Sequence, residues 1–209
     1  IMLPYTFEVF SIDHIVSIIV IFFLFIILLR YNDKIGILDD SKTFLIVLAI
    51  LMIFLDLSED LVRIITGYYS ITKDLPLQLC SIGVYLAAFN LIYRNQTIFN
   101  LIFYWGFVGA TNAILTPDGD LFELRIFFFY SQGYHAALIF AVLWMMIKYD
   151  MRMDYKSILQ VVIYTNIIVG LITVVNFILD SNYMFLRTMP NSISPFLMGK
   201  WPTYIIMVE

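Results

Sequence analysis

Charge is what this chain has least of. Of 209 residues only 12 are Lys or Arg and 16 are Asp or Glu, 13% together, against 62% hydrophobic. An ordinary globular domain is about half apolar and about a quarter charged, so a water-soluble fold is excluded. A mean hydropathy of +0.91 excludes a disordered chain as well. Cysteine occurs once and histidine twice. One cysteine cannot form an internal disulfide, and two distant histidines make no ligand motif, so neither a metal nor another cofactor is expected. A net charge of -4 with scattered cations gives no basic surface for nucleic acid. Internal repeats, low-complexity stretches and flexible linkers are also missing, which predicts one domain over residues 1–209. Membrane lipids are the expected partners, and the oligomeric state stays open.

What the chain has instead is long runs without a formal charge. They predict an all-α, polytopic membrane bundle with six spans, over 12–30, 42–66, 75–93, 97–116, 122–147 and 156–180. A last apolar stretch, 201–209, is long enough to enter a bilayer but not to cross it, and reads as a truncated seventh helix. Glu8 and Asp13 precede the first span where a signal peptide carries positive charge, so that span is expected to remain in the mature protein. Arg30, Lys34, Lys42, Arg94, Lys148, Arg152 and Lys156 fall on one side of the bundle, and Arg63, Lys73, Arg125, Arg187 and Lys200 on the other. The two richest short loops share the first side, so the positive-inside rule puts the N-terminus outside the cell membrane.

The spans carry groups that hydrocarbon does not tolerate. Asp56, Glu59, Asp60 and Arg63 recur at i, i+3, i+4 and i+7, one face of the second span, and must turn toward protein or water. In the sixth span Asn166, Gly170, Thr173, Asn176 and Asp180 make a polar and small stripe suited to close helix approach. Cys80, Gly83, Ala87 and Asn90 mark one face of the third span, and Gln132 and His135 one face of the fifth. With Gln78, Asn112, Thr116 and Asp118, most of these groups fall in the outer half, where they are expected to line a cavity open to one leaflet. A channel or carrier needs polar groups across the whole thickness and is disfavoured.

Cys80 and His135 are the parts of an acyl-transfer pair, in which the imidazole takes the thiol proton and the thiolate attacks an ester. Pro76, pre-set for a first helical turn, places Cys80 near the edge of that turn's favourable field for a thiolate. Counted at about 1.5 Å per residue, Cys80 lies about 7.5 Å and His135 about 15 Å from the starts of their spans, so they meet only if the helices are offset. Asp56, Asp60 or Asp180 are candidates to orient the imidazole, and Gln78 or Asn112 to donate to an oxyanion. His14, at the mouth of the first span, reads either as an interfacial residue or as a ligand at the cavity rim. The competing reading is a non-enzymatic lipid-binding or assembly protein whose intramembrane polar groups are structural.

Several blocks taken together resemble the YwaF-type integral membrane proteins of bacteria. They are FEVFSIDH, ending at His14; LPLQLCS, Leu75 to Ser81; YWGFVGATNAILTPD, Tyr104 to Asp118; FFFYSQGYHAALIF around His135; and NYMFLRTMP followed by GKWPTYI. The resemblance implies a compact bundle of six or seven spans, rhomboid-like in outline. It also implies kinship with a eukaryotic membrane phospholipid acyltransferase that uses a Cys nucleophile and a His, roles that would fall to Cys80 and His135. Members commonly carry His where this chain has Gln78.

Overall fold

The structure is a computed structural model, and it describes residues 5–35, 42–190, 200, 201 and 203. Among these the chain is helical without strands. In chain order the helices are α1 (Ile12–Ile35), α2 (Lys42–Thr66), α3 (Leu79–Tyr93), α4 (Gln96–Ile102), α5 (Gly109–Leu115), α6 (Arg125–Lys148) and α7 (Ile158–Leu179). A π-helical segment, Phe103–Val108, joins α4 to α5 in one interrupted helix. Three of the described helices are long and apolar enough to cross a membrane, namely Gln96–Leu115, Arg125–Lys148 and Tyr155–Leu179. Of the stretch 201–209, expected as a partial seventh helix, only Trp201 and Thr203 are among the described residues.

The outside of the bundle is as apolar as its inside. Val16, Ile19 and Phe23 on α1 and Leu159, Ile163, Leu171 and Phe177 on α7 are all exposed. An apolar exterior is stable where the surrounding solvent is lipid, and there each backbone amide must be satisfied within its own helix. The interior is built around α3 and α6, where Val84, Ala87, Leu91, Leu138, Ala141 and Met145 are fully buried against Met52 of α2 and Ile102 and Ala110 of the interrupted helix.

Small residues set how closely these helices approach. A Cβ placed on Gly106 would lie 3.0 Å from the Leu138 side chain, and one on Gly83 would lie 3.4 Å from it and 3.8 Å from the Gly106 Cα. Gly83, Gly106 and Leu138 thus form a contact layer shared by α3, the π-helical segment and α6. Dispersion packing of this kind, not water exclusion, holds helices together in lipid.

Two sequence expectations are corrected, one about a helix start and one about a helix face. The third span was expected from residue 75, yet α3 begins at Leu79, and Gln78 is its extended N-cap (φ -76°, ψ 148°). Pro76 does not open the helix, because the chain around it is tied elsewhere: Leu75 N–H donates to the Tyr183 hydroxyl at 3.0 Å. The stripe on α7 is also not a buried seam. Asn166, Gly170 and Thr173 are exposed, and Asn166 and Thr173 donate to carbonyls of their own helix, Val162 at 2.9 Å and Val169 at 2.7 Å. Back-bonding to the preceding turn lets these side chains sit on an outer face; only Asn176 of the stripe is buried.

A methyl group on Gly106 would press on three carbons of the fully buried Leu138 side chain at 3.0 to 3.2 Å. Gly106→Ala is expected to cost about 1 to 3 kcal/mol, read as a lower unfolding temperature of the purified protein in detergent.

Candidate functional site

The polar residues predicted as a site fall into two kinds, those whose hydrogen bonds are closed and those left open. Arg63 is the most completely closed. Its guanidinium pairs with Glu59 at 2.9 Å, with Glu123 at 2.9 Å and with Asp74 at 3.6 Å, donates to the Leu121 carbonyl at 2.9 Å, and lies 4.0 Å from the centre of the Phe127 ring. It joins α2 to the α2–α3 loop and to the loop before α6, and is a structural staple.

His14 is likewise used up. Its Nε2–H donates to the Ile114 carbonyl at 2.8 Å while Nδ1 accepts from the Phe10 amide at 3.0 Å. The ring is fully buried among Phe7, Phe10 and Phe128. With one nitrogen donating and the other accepting, this imidazole fastens α1 to α5 and is neither a rim ligand nor a base. In front of it the Tyr5 hydroxyl donates to Asp13 at 3.1 Å, and burial followed by that hydrogen bond pushes the phenol up to about 12.

Asn176 donates to the Tyr183 carbonyl at 2.9 Å and accepts from the Tyr183 amide at 2.7 Å and from Ser181 at 2.8 Å. Gln78 accepts from the Met184 amide at 2.8 Å through Oε1. Asn112 accepts from the Thr116 hydroxyl at 3.2 Å, and Asp118 caps a short turn through the Asp120 amide at 3.1 Å. Asp180 lies outside the bundle, with 89% of its side chain exposed, and pairs with Arg187 at 2.6 Å. It therefore does not orient His135.

The open groups gather between α2, α3, the interrupted helix and α6. Cys80 is the second residue of α3 and is partly buried. Its thiol donates to the Trp105 carbonyl at 3.7 Å, and a Cβ on Gly109 would lie 3.3 Å from the sulfur. A π-helical turn shifts backbone carbonyls out of the ordinary ladder, and such turns recur at functional sites. Here one of them faces the thiol. The Trp105 ring meanwhile anchors the same segment to α7, its Nε1–H donating to Thr165 at 2.9 Å.

His135 is 5% exposed and donates from Nδ1 to the Ser131 carbonyl at 2.7 Å. A carbonyl only accepts, so the proton of the neutral ring sits on Nδ1 and Nε2 keeps its lone pair. No hydrogen bond to Nε2 occurs among the described residues. One turn before it, Gln132 is 3% exposed and neither its Oε1 nor its Nε2 has a hydrogen-bond partner. An unpartnered buried amide costs about 1 to 3 kcal/mol; the Ser11 hydroxyl and the Trp144 ring N–H are likewise buried without a partner, but only Gln132 lies one turn from the free nitrogen of His135.

Depth brings the thiol and the imidazole to one level. Cys80 precedes Gly83 by one turn, His135 precedes Leu138 by one turn, and Gly109 follows Gly106 by one turn on a helix of opposite direction. Because Gly83, Gly106 and Leu138 touch, Cys80, Gly109 and His135 all stand about 4.5 Å from that layer toward the same end. Counted from this layer and not from span ends, the two residues fall at one level. Nevertheless no hydrogen bond joins Cys80 to His135.

Around this level sequence reasoning missed the tyrosines. Tyr85 donates to Asp56 at 2.6 Å, and the Tyr134 ring lies 4.2 Å from the His135 ring, centre to centre. Nothing in a chain with 14 tyrosines separates these two from interfacial ones. Asp60, half-buried beside them, makes no hydrogen bond or ion pair among the described residues. No group of three or more His, Cys, Asp and Glu suited to a metal occurs among the described residues.

The model that describes the TMEM164 family matches residues 9–209. No curated protein and no solved structure matches the chain.

Removing Arg63 leaves Glu59 and Glu123 as uncompensated charges, so Arg63→Met is expected to cost about 3 to 5 kcal/mol. Asp60→Asn, at a carboxylate without a direct partner, is expected to hold or raise stability, and thermal unfolding of both variants in detergent checks the contrast.

Proposed function

The chain belongs to the TMEM164 family of membrane proteins, and on that premise we propose that it is a multi-pass enzyme transferring or hydrolysing a lipid acyl chain at one leaflet through Cys80 and His135. The same proposal makes the chain one domain of the cell membrane with its N-terminus outside and a YwaF-type, rhomboid-like outline. It has six spans, with the apolar stretch from Trp201 contributing to a seventh.

The observation that carries this reading is the common level of Cys80 and His135, each one turn from the Gly83–Gly106–Leu138 layer, on helices whose faces meet there. Cys80 is the nucleophile and His135 the base. In the resting protein the thiol donates to the Trp105 carbonyl, and in the reactive one it turns to Nε2. The thiol proton passes to Nε2 and sulfur bonds to the carbonyl carbon of a lipid ester. The carbon–oxygen bond to the leaving alcohol then breaks, and the imidazolium returns its proton to that oxygen. A thioester on Cys80 remains. A second hydroxyl, from an acceptor lipid or from water, gives its proton to Nε2, attacks the thioester and restores the thiol.

Gln132 joins Gln78 and Asn112 as a candidate oxyanion donor, because its Nε2 is buried without a hydrogen-bond partner one turn from His135. Donors aimed at a developing oxyanion in a water-poor site contribute most when nothing else uses them. Asp56 with Tyr85 lends a polar wall on the α2 side.

A second reading is a lipid-binding or assembly protein without catalysis. The closed hydrogen bonds of Arg63, His14, Gln78 and Asn176, and the resting contact of Cys80 with a carbonyl in place of imidazole, favour it.

Intact mass after incubation with ester phospholipids separates the two. An acyl adduct is expected on the wild type, absent in Cys80→Ala and formed at least about 100-fold more slowly in His135→Gln, the usual weight of a general base. Unfolding temperatures of both variants should stay near that of the wild type. A thiol that stays unmodified in the native protein, with both variants merely less stable, would leave the non-catalytic reading standing.

A further inference from the structure

A separate cleft lies at the same end of the bundle, between the α2–α3 loop and the segment after α7. It is open, has a volume of about 350 Å³, and is lined by Thr72, Lys73, Asp180, Arg187 and Thr188 among others. Its two walls are distant in sequence and are riveted by one buried side chain. The Tyr183 hydroxyl donates to the Ile71 carbonyl at 2.6 Å and accepts from the Leu75 amide at 3.0 Å. The turn that carries this tyrosine holds Met184 and Phe185 in the left-handed region, φ 56° and 53°. Residues there cost about 1 to 3 kcal/mol each and persist only where surrounding bonds over-determine them, as Asn176 and Gln78 do here. The walls are therefore fixed relative to each other.

The cations of the cleft are under-used. Among the described residues the nearest carboxylate oxygen to Lys73 Nζ is 4.0 Å away on Glu123, which Arg63 already holds at 2.9 Å. Arg187 engages Asp180 and the Ser181 carbonyl through Nη1 alone, and its Nε and Nη2 make no hydrogen bond among the described residues. An exposed pair such as Arg187–Asp180 contributes little and yields readily to a stronger anion. A guanidinium with two nitrogens to spare and an ammonium lining the same cleft match a phosphate, which takes Arg in a bidentate manner and Lys as a point charge.

The turn that leads into Asp180 of the cleft is apolar. Phe177 and Ile178, in the last turn of α7, are 87% and 72% exposed. A ligand with a phosphate in the cleft and a hydrocarbon chain running down α7 satisfies both surfaces, whereas free phosphate uses only the first.

We propose that this cleft binds the phosphate of a phospholipid headgroup, held between Lys73 and Arg187, with an acyl chain laid on the outer end of α7. The site contains none of Cys80, Gln132 or His135 and stands whether or not those residues catalyse.

The test is native mass spectrometry of the full chain in detergent, titrated with phosphatidylglycerol or with diacylglycerol of the same chains, and with inorganic phosphate as competitor. The wild type is expected to retain phosphatidylglycerol about tenfold more tightly than diacylglycerol, in keeping with the pull of two cations at a lipid surface. Lys73→Gln with Arg187→Gln is expected to erase that difference without lowering the unfolding temperature, since both side chains are half exposed, and Lys73→Arg with native Arg187 is expected to keep it. Equal retention of the two lipids by the wild type, an undiminished preference in the double variant, or displacement of the lipid by millimolar inorganic phosphate would each overturn the proposal, the last assigning the cleft to free phosphate.

Discussion

Hydrocarbon offers no hydrogen bonds, and that one constraint orders this molecule. Each polar group carried into the bundle must find a partner in the protein or leave a gap, at a cost of about 1 to 3 kcal/mol for a buried neutral group. The chain meets the constraint almost everywhere. Arg63 closes on three carboxylates and a carbonyl, His14 on a carbonyl and an amide, and Asn176 on both polar groups of Tyr183. The exceptions are consequently conspicuous: the Ser11 hydroxyl, the Trp144 ring N–H and both polar atoms of Gln132 are buried without a partner, and Gln132 lies one turn from His135, whose Nε2 makes no hydrogen bond among the described residues.

That interruption has two consequences from one backbone irregularity. It brings Gly106 against Leu138, which lets α3, the interrupted helix and α6 close to a shared layer, and it aims the Trp105 carbonyl at the Cys80 thiol. Packing and chemistry are therefore coupled in this segment. Crowding the layer would spread helices that also set the level of the sulfur and the imidazole. Trp105 extends the coupling to α7 through Thr165, so the lipid-facing helix is tied to the same turn.

Much of the architecture was legible from charge alone. Long charge-free runs gave an all-helical chain with apolar spans, because excluding charge from about 20 successive residues has few other causes. The inward face of α3, with Gly83, Ala87 and Asn90, and that of α6, with Gln132 and His135, could be read from helical spacing and are buried. Spacing was silent on sign, however. It read the α7 stripe as a seam, yet Asn166 and Thr173 satisfy themselves on their own helix and remain outside. It also leaves His14 open between an interfacial residue and a rim ligand and sets Asp180 at a cavity, whereas the first is locked into a hydrogen-bonded joint and the second is on the surface.

The sequence by itself determined the solvent, the helical class and which residue types could do chemistry, since these follow from composition and from a period of 3.6 that needs no neighbours. Tertiary structure decided the depth at which α3 begins, the tautomer of each imidazole, and which amides stay unpartnered. Those properties depend on a tyrosine from a segment some hundred residues away holding Leu75 out of the helix, and on carbonyls of particular turns meeting particular side chains. Hydrogen-bond partners across that separation leave no trace in local spacing, so only the folded chain could assign them.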